Sequence, residues 1–514
     1  MKYYPRASYR LQMHSRFNFA ILAEHLDYLQ ELGISHLYLS PCLQAAPESM
    51  HGYDVVDHSH INSELGGNYG FDRLVTLLSE RKMSIILDIV PNHMAVRCPE
   101  NPWWWDVLEN GPTSQFARYF DVDWHCESDH SSNIMLLPVL GDHYGIVLEA
   151  GELKIEHNYG KFTLHYFENV FPLAPRSLSI ILEHAYKESG IDELGYLAGA
   201  LQSLPHASSR DVERIQRRQR DKAVLFEMME TMCKEVIGFD DAVSKAVNEV
   251  NQDYDLLDTV IGRQNYKLAY WKLSHYQVGY RRFFNINSLV GLRMEDDKAF
   301  CDSHKLVIEL AKSGKIDGFR IDHPDGLFAP REYLTRLRKA CPEAIIIVEK
   351  ILEQKERLNP RWPVSGTTGY DFLNLVDGLF IDPSGHEKLL KIWQEFTGET
   401  GDFKTLVYRA KKQIIRKLLG SEINRLAADL TVICEKHRRY RDFSHQQLYE
   451  SLVEVTAGFD IYRTYMEPET GMISKSETAI INAAINRARE TKPESGDYIF
   501  DFISDILLLK LRGD

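Results

Sequence analysis

Cysteine is scarce in these 514 residues: Cys42, Cys98, Cys126, Cys233, Cys301, Cys341 and Cys434 are scattered, odd in number and include no C-x-x-C pair. That pattern excludes a disulfide framework and a cysteine zinc site, and reduced thiols fit the cytoplasm. Long apolar runs are missing as well. No window approaches the ~18 apolar residues of a membrane span, and Met1-Lys2-Tyr3-Tyr4-Pro5 opens into a polar segment unlike a signal peptide. A cytoplasmic chain with no membrane partner is expected. Positive charge is in deficit: 60 Lys and Arg against 74 Asp and Glu give a formal net charge of −14. This disfavours a grip on nucleic acid or an anionic membrane, so a neutral or cationic ligand is expected. Internal repeats and low-complexity segments are absent.

What is present is an ordinary globular composition, 44% hydrophobic and 26% charged. The length suffices for several domains, or for one domain with large insertions. Ser8 to Leu11 reads as a strand, and Leu22, Leu26, Leu29 and Leu32 lie near one helical face that Gly33 ends. Ile34 to Leu39 is a second strand, followed by a long Gly-, Pro- and polar-rich loop from Ser40 to Gly67, of a length that is more often functional than not. Phe71 to Lys82 is helical and Ser84 to Val90 is a third strand. More than 200 residues then separate this strand from the next at Ile316, far more than one crossover helix needs, which marks an insertion. It begins with Trp103-Trp104-Trp105, for which core packing and sugar stacking are equally open. Short strands are expected at Leu136 to Gly141 and Gly145 to Leu148, and helices from about Pro175 to Val260, including Arg210 to Glu230. A sixth strand is expected near Gly378-Leu379-Phe380-Ile381, then helices from Lys388 to about Glu454, whose Lys411-Lys412 and Arg438-Arg439 read as solvated faces.

The chemistry concentrates at strand ends. Ile316 to His323 and Ile345 to Lys350 are two buried strands that each end in a carboxylate, joined by a helix after Pro330, so they run parallel. Asp322 and Glu349 therefore emerge at the same end of one sheet, where parallel sheets place their active sites. The third strand contributes Asp88, then Asn92 and His93. Any one of these alone reads equally well as a turn cap.

Together they resemble a family. Asp88-Ile89-Val90-Pro91-Asn92-His93, Gly318-Phe319-Arg320-Ile321-Asp322 and Val348-Glu349 look like the first three strand-end motifs of the α-amylase superfamily. Longer strings narrow this to the maltooligosyl trehalose synthases. They include Ser40-Pro41, Ala45-Ala46-Pro47, His51-Gly52-Tyr53-Asp54-Val55-Val56-Asp57, the stretch from Trp103 to Gly111, Arg320 to Leu327, Gly366 to Phe372, and Tyr462-Arg463-Thr464-Tyr465. The resemblance implies an α/β fold, a (β/α)8 barrel of amylase type. Residues 1–95 would form strands one to three, 96–285 an inserted domain, 286–385 strands four to six, and 386–514 a mainly helical subdomain.

It also implies a reaction, the internal rearrangement of the reducing-end α-1,4 bond of a maltooligosaccharide to an α,α-1,1 bond. Asp322 would be the nucleophile and Glu349 the general acid and base, with Arg320 keeping Asp322 ionised and oriented. His51, Tyr53, Asp54, Asp88, Asn92, His93 and His323 would shape the sugar site. An α-1,4-glucan hydrolase, or a non-catalytic glucan binder or half-enzyme, is the alternative. No cofactor is implied, and no Asp cluster completes a calcium cage beside Asp88 and Asn92. The superfamily's fourth motif, a His-Asp pair on the seventh strand, is absent, and the sequence closes at Leu511-Arg512-Gly513-Asp514. A shortened barrel is thus expected, with reduced activity, self-association or a complementing C-terminal polypeptide.

Overall fold

Short runs of Ile, Leu and Val bounded by turn residues build the parallel strands, as sheets covered on both faces require. The computed structural model describes residues 5–97, 99–124, 135–353, 356–467, 471, 473–493 and 496–511. Cys98, Cys126 and both extreme termini lie outside them. The chain forms two compact units, Met1–Ser274 with Val278–Asp317, and His275–Gln277 with Gly318–Asp514.

The first unit opens with β1 (Ser8–Leu11), α1 (Phe19–Glu24), α2 (Leu26–Glu31), β2 (His36–Leu39), β3 (Leu43–Ala45), β4 (Val55–Ile61), α3 (Gly67–Glu80), β5 (Ser84–Ile89) and β6 (His93–Ala95). Strands β1, β2 and β5 pair in parallel, with Leu37, Leu39, Ile85 and Leu87 fully buried. The leucine face is broken at His25 into two helices, and Leu32 is exposed. The stretch expected to be one long loop holds β3 and β4, which pair antiparallel through bulges. Irregular register is why period-two alternation was not visible there.

Next come α4 (Pro102–Asn110), β7 (Met135–Leu140), α5 (Tyr144–Glu149), β8 (Leu153–Asn158), β9 (Lys161–Tyr166), β10 (Asn169–Pro172), α6 (Leu178–Ser189), α7 (Asp192–Gln202), α8 (Val212–Glu235), α9 (Phe239–Gln252), α10 (Tyr254–Ile261), β11 (Tyr266–Tyr270), β12 (Arg282–Phe283), β13 (Ile286–Gly291) and α11 (Asp297–Lys312). Gly145 to Leu148 is therefore helix, not strand; a four-residue apolar run carries no period to decide between them. Strands β8, β9 and β10 form an antiparallel meander, turned between β8 and β9 by Tyr159-Gly160, both at positive φ, and between β9 and β10 by Phe167-Glu168, with Phe167 at positive φ. Trp104 is buried against Phe120 and Tyr280, and Trp103 packs on His58, Phe116 and Tyr119. Trp104 is therefore core, while Trp103 is half-buried in an aromatic cluster.

The second unit comprises β14 (Gly318–Ile321), α12 (Pro330–Ala340), β15 (Ile345–Val348), β16 (Gly366–Thr367), α13 (Tyr370–Gly378), α14 (His386–Thr397), α15 (Phe403–Leu418), α16 (Gly420–Glu435), α17 (His445–Gly458), α18 (Lys475–Thr491) and α19 (Asp497–Leu507). Strands β14, β15 and β16 pair in parallel. A Cβ on Gly318 would fall 2.1 Å from Ile345 O, so only glycine lets β14 start this close to β15. The strand expected at residues 378–381 is not formed; β16 takes that place, and Leu379, Phe380 and Ile381 are exposed. Helices α13 and α14 bury none of their residues, whereas α16 to α19 share a core that includes Ala427, Leu448, Ile485 and Phe502. Among the described residues no helix is long and apolar enough to cross a membrane.

Candidate active site

In the second unit, Arg320 and Asp322 project from the same side of β14, as a period of two requires. Both are buried, at 5% and 6% exposure. Arg320 Nη1 donates to Asp322 Oδ1 at 2.8 Å, and Nη2 pairs with Glu349 Oε1 at 2.6 Å. One guanidinium thus bridges the two carboxyl groups, with charge-assisted bonds that fix their orientation.

Glu349 follows β15 directly, and its backbone N–H donates to Ile321 O at 3.0 Å, which ties the two strand ends together. Its Oε2 accepts the backbone N–H of His323 at 3.0 Å. His323 is in the left-handed region, at φ 40° and ψ 56°, an uncommon conformation for a side-chain-bearing residue. That turn is what aims its N–H at the carboxylate. The ring lies edge-on to Tyr462, with Nε2 3.1 Å from the Tyr462 hydroxyl.

A strap formed by Tyr462 to Tyr465 holds the loop that follows His323. Arg463 donates to Asp325 O at 2.7 Å, to Leu327 O, and to Phe328 O at 2.8 Å. The Asp325 carboxylate accepts from the Tyr465 hydroxyl and from Lys350 Nζ, the latter at 3.2 Å. Lys350, 2% exposed, also pairs with Glu356 at 2.9 Å, so this buried ammonium is compensated twice. Lys350, Asp325, Tyr462, Arg463 and Tyr465 were not singled out individually from the sequence. Their signal was their place in the strings Arg320 to Leu327 and Tyr462 to Tyr465.

In the first unit, Asp88 ends β5 fully buried, and its Oδ2 accepts hydroxyl bonds from Tyr53 at 2.7 Å and Tyr38 at 3.0 Å. Arg10 donates to the Tyr53 oxygen at 3.3 Å. Tyr53 is delivered by a tight turn at Gly52, whose φ is +78° and where a Cβ would meet Pro41 O at 2.4 Å. Asp54 accepts the Ser49 hydroxyl and lies 3.7 Å from His51 Nδ1, while that nitrogen accepts the Tyr53 N–H at 3.0 Å. His51 is exposed. Asn92 and His93 are buried side by side; Arg281 Nη1 donates to Asn92 Oδ1 at 2.8 Å, and the His93 ring lies 4.4 Å from Phe283. The sequence-predicted residues of this unit thus form a Tyr53–Asp88 pair, a His51–Asp54 turn and an Asn92–His93 pair.

Asp88 and Asn92 already accept from hydroxyl and guanidinium donors. Among the described residues His157, Cys233 and Asp240 come within ligand-like spacing. However, the Gly160 N–H donates to His157 Nε2 at 2.8 Å and occupies the lone pair a metal would need.

A model of the α-amylase catalytic domain matches residues 18–169. A putative maltooligosyl trehalose synthase of Mycobacterium tuberculosis is 34% identical over 427 residues, 82% of this chain and 44% of that protein. The solved maltooligosyltrehalose synthase of Arthrobacter ramosus superposes with a TM-score of 0.70 at 30% identity, covering 98% of this chain and 55% of that one. An intracellular maltogenic amylase of Bacillus subtilis is 35% identical over 123 residues, 24% of this chain and 18% of that protein. The chain spans about half the length of the synthases it matches.

Proposed function

We propose, from the premise that this chain is a homologue of the maltooligosyl trehalose synthases with an α-amylase catalytic domain, that it supplies the reacting carboxylates for intramolecular transglycosylation of maltooligosaccharides. The observation that carries this reading is the Arg320 fork, which holds Asp322 and Glu349 as a pair. Retaining glycosyl transfer needs such a pair, one carboxylate to attack and one acid to protonate the leaving group.

In the proposed reaction Asp322 attacks the anomeric carbon of the glucosyl unit next to the reducing end. Glu349 gives its proton to O4 of the departing glucose, and a glycosyl ester forms on Asp322. The freed glucose then turns and presents its anomeric hydroxyl. Glu349 takes that proton as the oxygen displaces Asp322, which closes the α,α-1,1 bond after two inversions. Water must be kept out in between, or hydrolysis results. Each Glu349 oxygen accepts one N–H bond, and the remaining lone pairs are where Glu349 would carry the proton.

His51, Tyr53, Asp54, Asp88, Asn92, His93 and His323 take sugar-binding roles by their motifs. The bonded Tyr53–Asp88 pair supports this, because its geometry is set without ligand. An amylase-type (β/α)8 barrel is the fold this reading implies, and the parallel pairing of β1, β2 and β5 and of β14, β15 and β16 is in keeping with it. The exposed apolar surface of α13 and α14 favours a covering polypeptide, one that carries further barrel strands or a second copy of this chain.

Proton NMR of maltopentaose incubated with the protein tests the reading. A growing α,α-1,1 anomeric signal with loss of reducing-end signal is expected. Growth of reducing ends overturns it in favour of hydrolysis. So does the absence of change when the C-terminal half of a homologous synthase is also supplied.

A further inference from the structure

A cavity of about 550 Å³ in the first unit is lined by Arg176, Arg218 and Arg263, with His206 beside them, and among the described residues by no Asp or Glu. Arg176 comes from the turn before α6, His206 from the α7–α8 connection, Arg218 from α8, and Arg263 from the α10–β11 connection. This concentration of positive charge stands against a chain of net charge −14.

Arg218 is only 1% exposed. Its Nη1 donates to Pro205 O at 2.7 Å, and its Nε has no partner among the described residues. Arg176 donates to Leu204 O at 3.2 Å. Neither arginine forms an ion pair with a carboxylate among the described residues. Asp106 and Glu109 are near enough to act on the Arg218 charge. Yet Glu109 binds Lys222 Nζ at 2.6 Å, and Asp106 accepts from Asn110 and Ser114. Burial and the Arg176 charge hold Arg218 down to about 10, still a cation at neutral pH. Burying a guanidinium whose Nε has no acceptor among the described residues, and whose nearest carboxylates bond elsewhere, carries a desolvation cost. An oxyanion that accepts from the guanidinium groups removes that cost.

We propose that this cavity binds a dianionic phosphoryl group, with Arg218 at its buried end and Arg176, Arg263 and His206 around it. Three guanidiniums match the charge and lone pairs of a phosphate better than those of a neutral glucan. The volume exceeds what a free phosphate fills and lies within the range of small-metabolite pockets. A phosphomonoester of a small polar metabolite and inorganic phosphate share the required chemistry.

Isothermal titration of the full chain with sodium phosphate, glucose 6-phosphate and uncharged glucose tests this. Saturable binding of a phosphate-bearing probe and none of glucose are expected, weakened about tenfold or more in Arg263→Gln. Arg218→Met should abolish binding. Because that variant can fail to fold, the exposed Arg263 keeps the test decisive, with circular dichroism as the check on folding. Equal affinity for the two anions identifies free phosphate as the ligand, and tighter ester binding identifies a phosphomonoester. No saturable binding of either anion up to about 10 mM, or unchanged binding in Arg263→Gln, overturns the proposal.

Discussion

Lowering the pH from about 7 to about 5 should destabilise the first unit by about 4 kcal/mol through two histidines alone. His58 on β4 and His304 on α11 are each 3% exposed, and the two elements pack together. His58 packs at a tilt against Trp103, and His304 stacks on Phe300, with His304 Nδ1 3.1 Å from Phe300 O. Burial lowers His58 to about 4, against a smaller upward pull from Asp57. Burial, then the His58 charge, lowers His304 to about 3.

The folded protein therefore leaves both rings neutral at pH values where the unfolded chain protonates them. The unfolded state binds the extra protons, so this contribution is complete above about pH 6.5 and is lost as pH falls towards the folded values. At pH 5 the unfolded histidines lie about 1.5 units above ambient, which is about 2 kcal/mol for each ring. The folded values enter little there, because both lie a unit or more lower. Urea unfolding followed by tryptophan fluorescence at both pH values gives the loss. In His304→Gln it should be smaller by about 2 kcal/mol, whatever the variant's absolute stability. A pH dependence identical to that of the parent would refute the reasoning.

Asp322→Asn should lower turnover of maltopentaose by about 10³-fold or more while calorimetric affinity is retained, since the loss falls on the reacting atom. Gly318→Ala should destabilise the second unit by about 3 kcal/mol, read as a lower urea midpoint, because its Cβ meets the Ile345 carbonyl. Tyr465→Phe should cost about 1 kcal/mol by the same assay, through loss of the hydroxyl bond to Asp325. Sedimentation velocity should detect concentration-dependent association driven by Leu379, Phe380 and Phe396, which are 81%, 85% and 90% exposed. The double variant Leu379→Lys/Phe380→Glu should reduce it.

The carboxylates proposed to react were legible because their physics is local. Ile345 to Val348 is an apolar run short enough to be a strand, so Glu349 had to stand at its end, and Arg320 and Asp322 two apart had to share a side. The supports were not legible, because they are distant in sequence: Tyr465 and Asp325 bond across 140 residues, and Lys350 gives no pattern of its own. The β8–β10 meander is hard to read because its two turns place Tyr159 and Phe167, not Asn or Gly, at positive φ, so the usual hairpin signal is half absent at the first and missing at the second. The expected strand at Gly378 to Ile381 had the right composition. There, Leu379 to Ile381 follow the end of α13, and β16 had already supplied the strand.

The donor that His323 offers to Glu349 is a main-chain amide, which changes what substitution surveys at this position can see. Alanine at 323 would remove the ring contact with Tyr462 and leave the amide in place, so a scan would rank the residue by a contact unrelated to that hydrogen bond. Proline would delete the donor and impose a negative φ. Glycine would keep the donor while making the left-handed turn easier to adopt. The hydrogen bond to Glu349 therefore constrains only the amide hydrogen and the backbone angles at 323, and any demand on the side chain comes from other contacts.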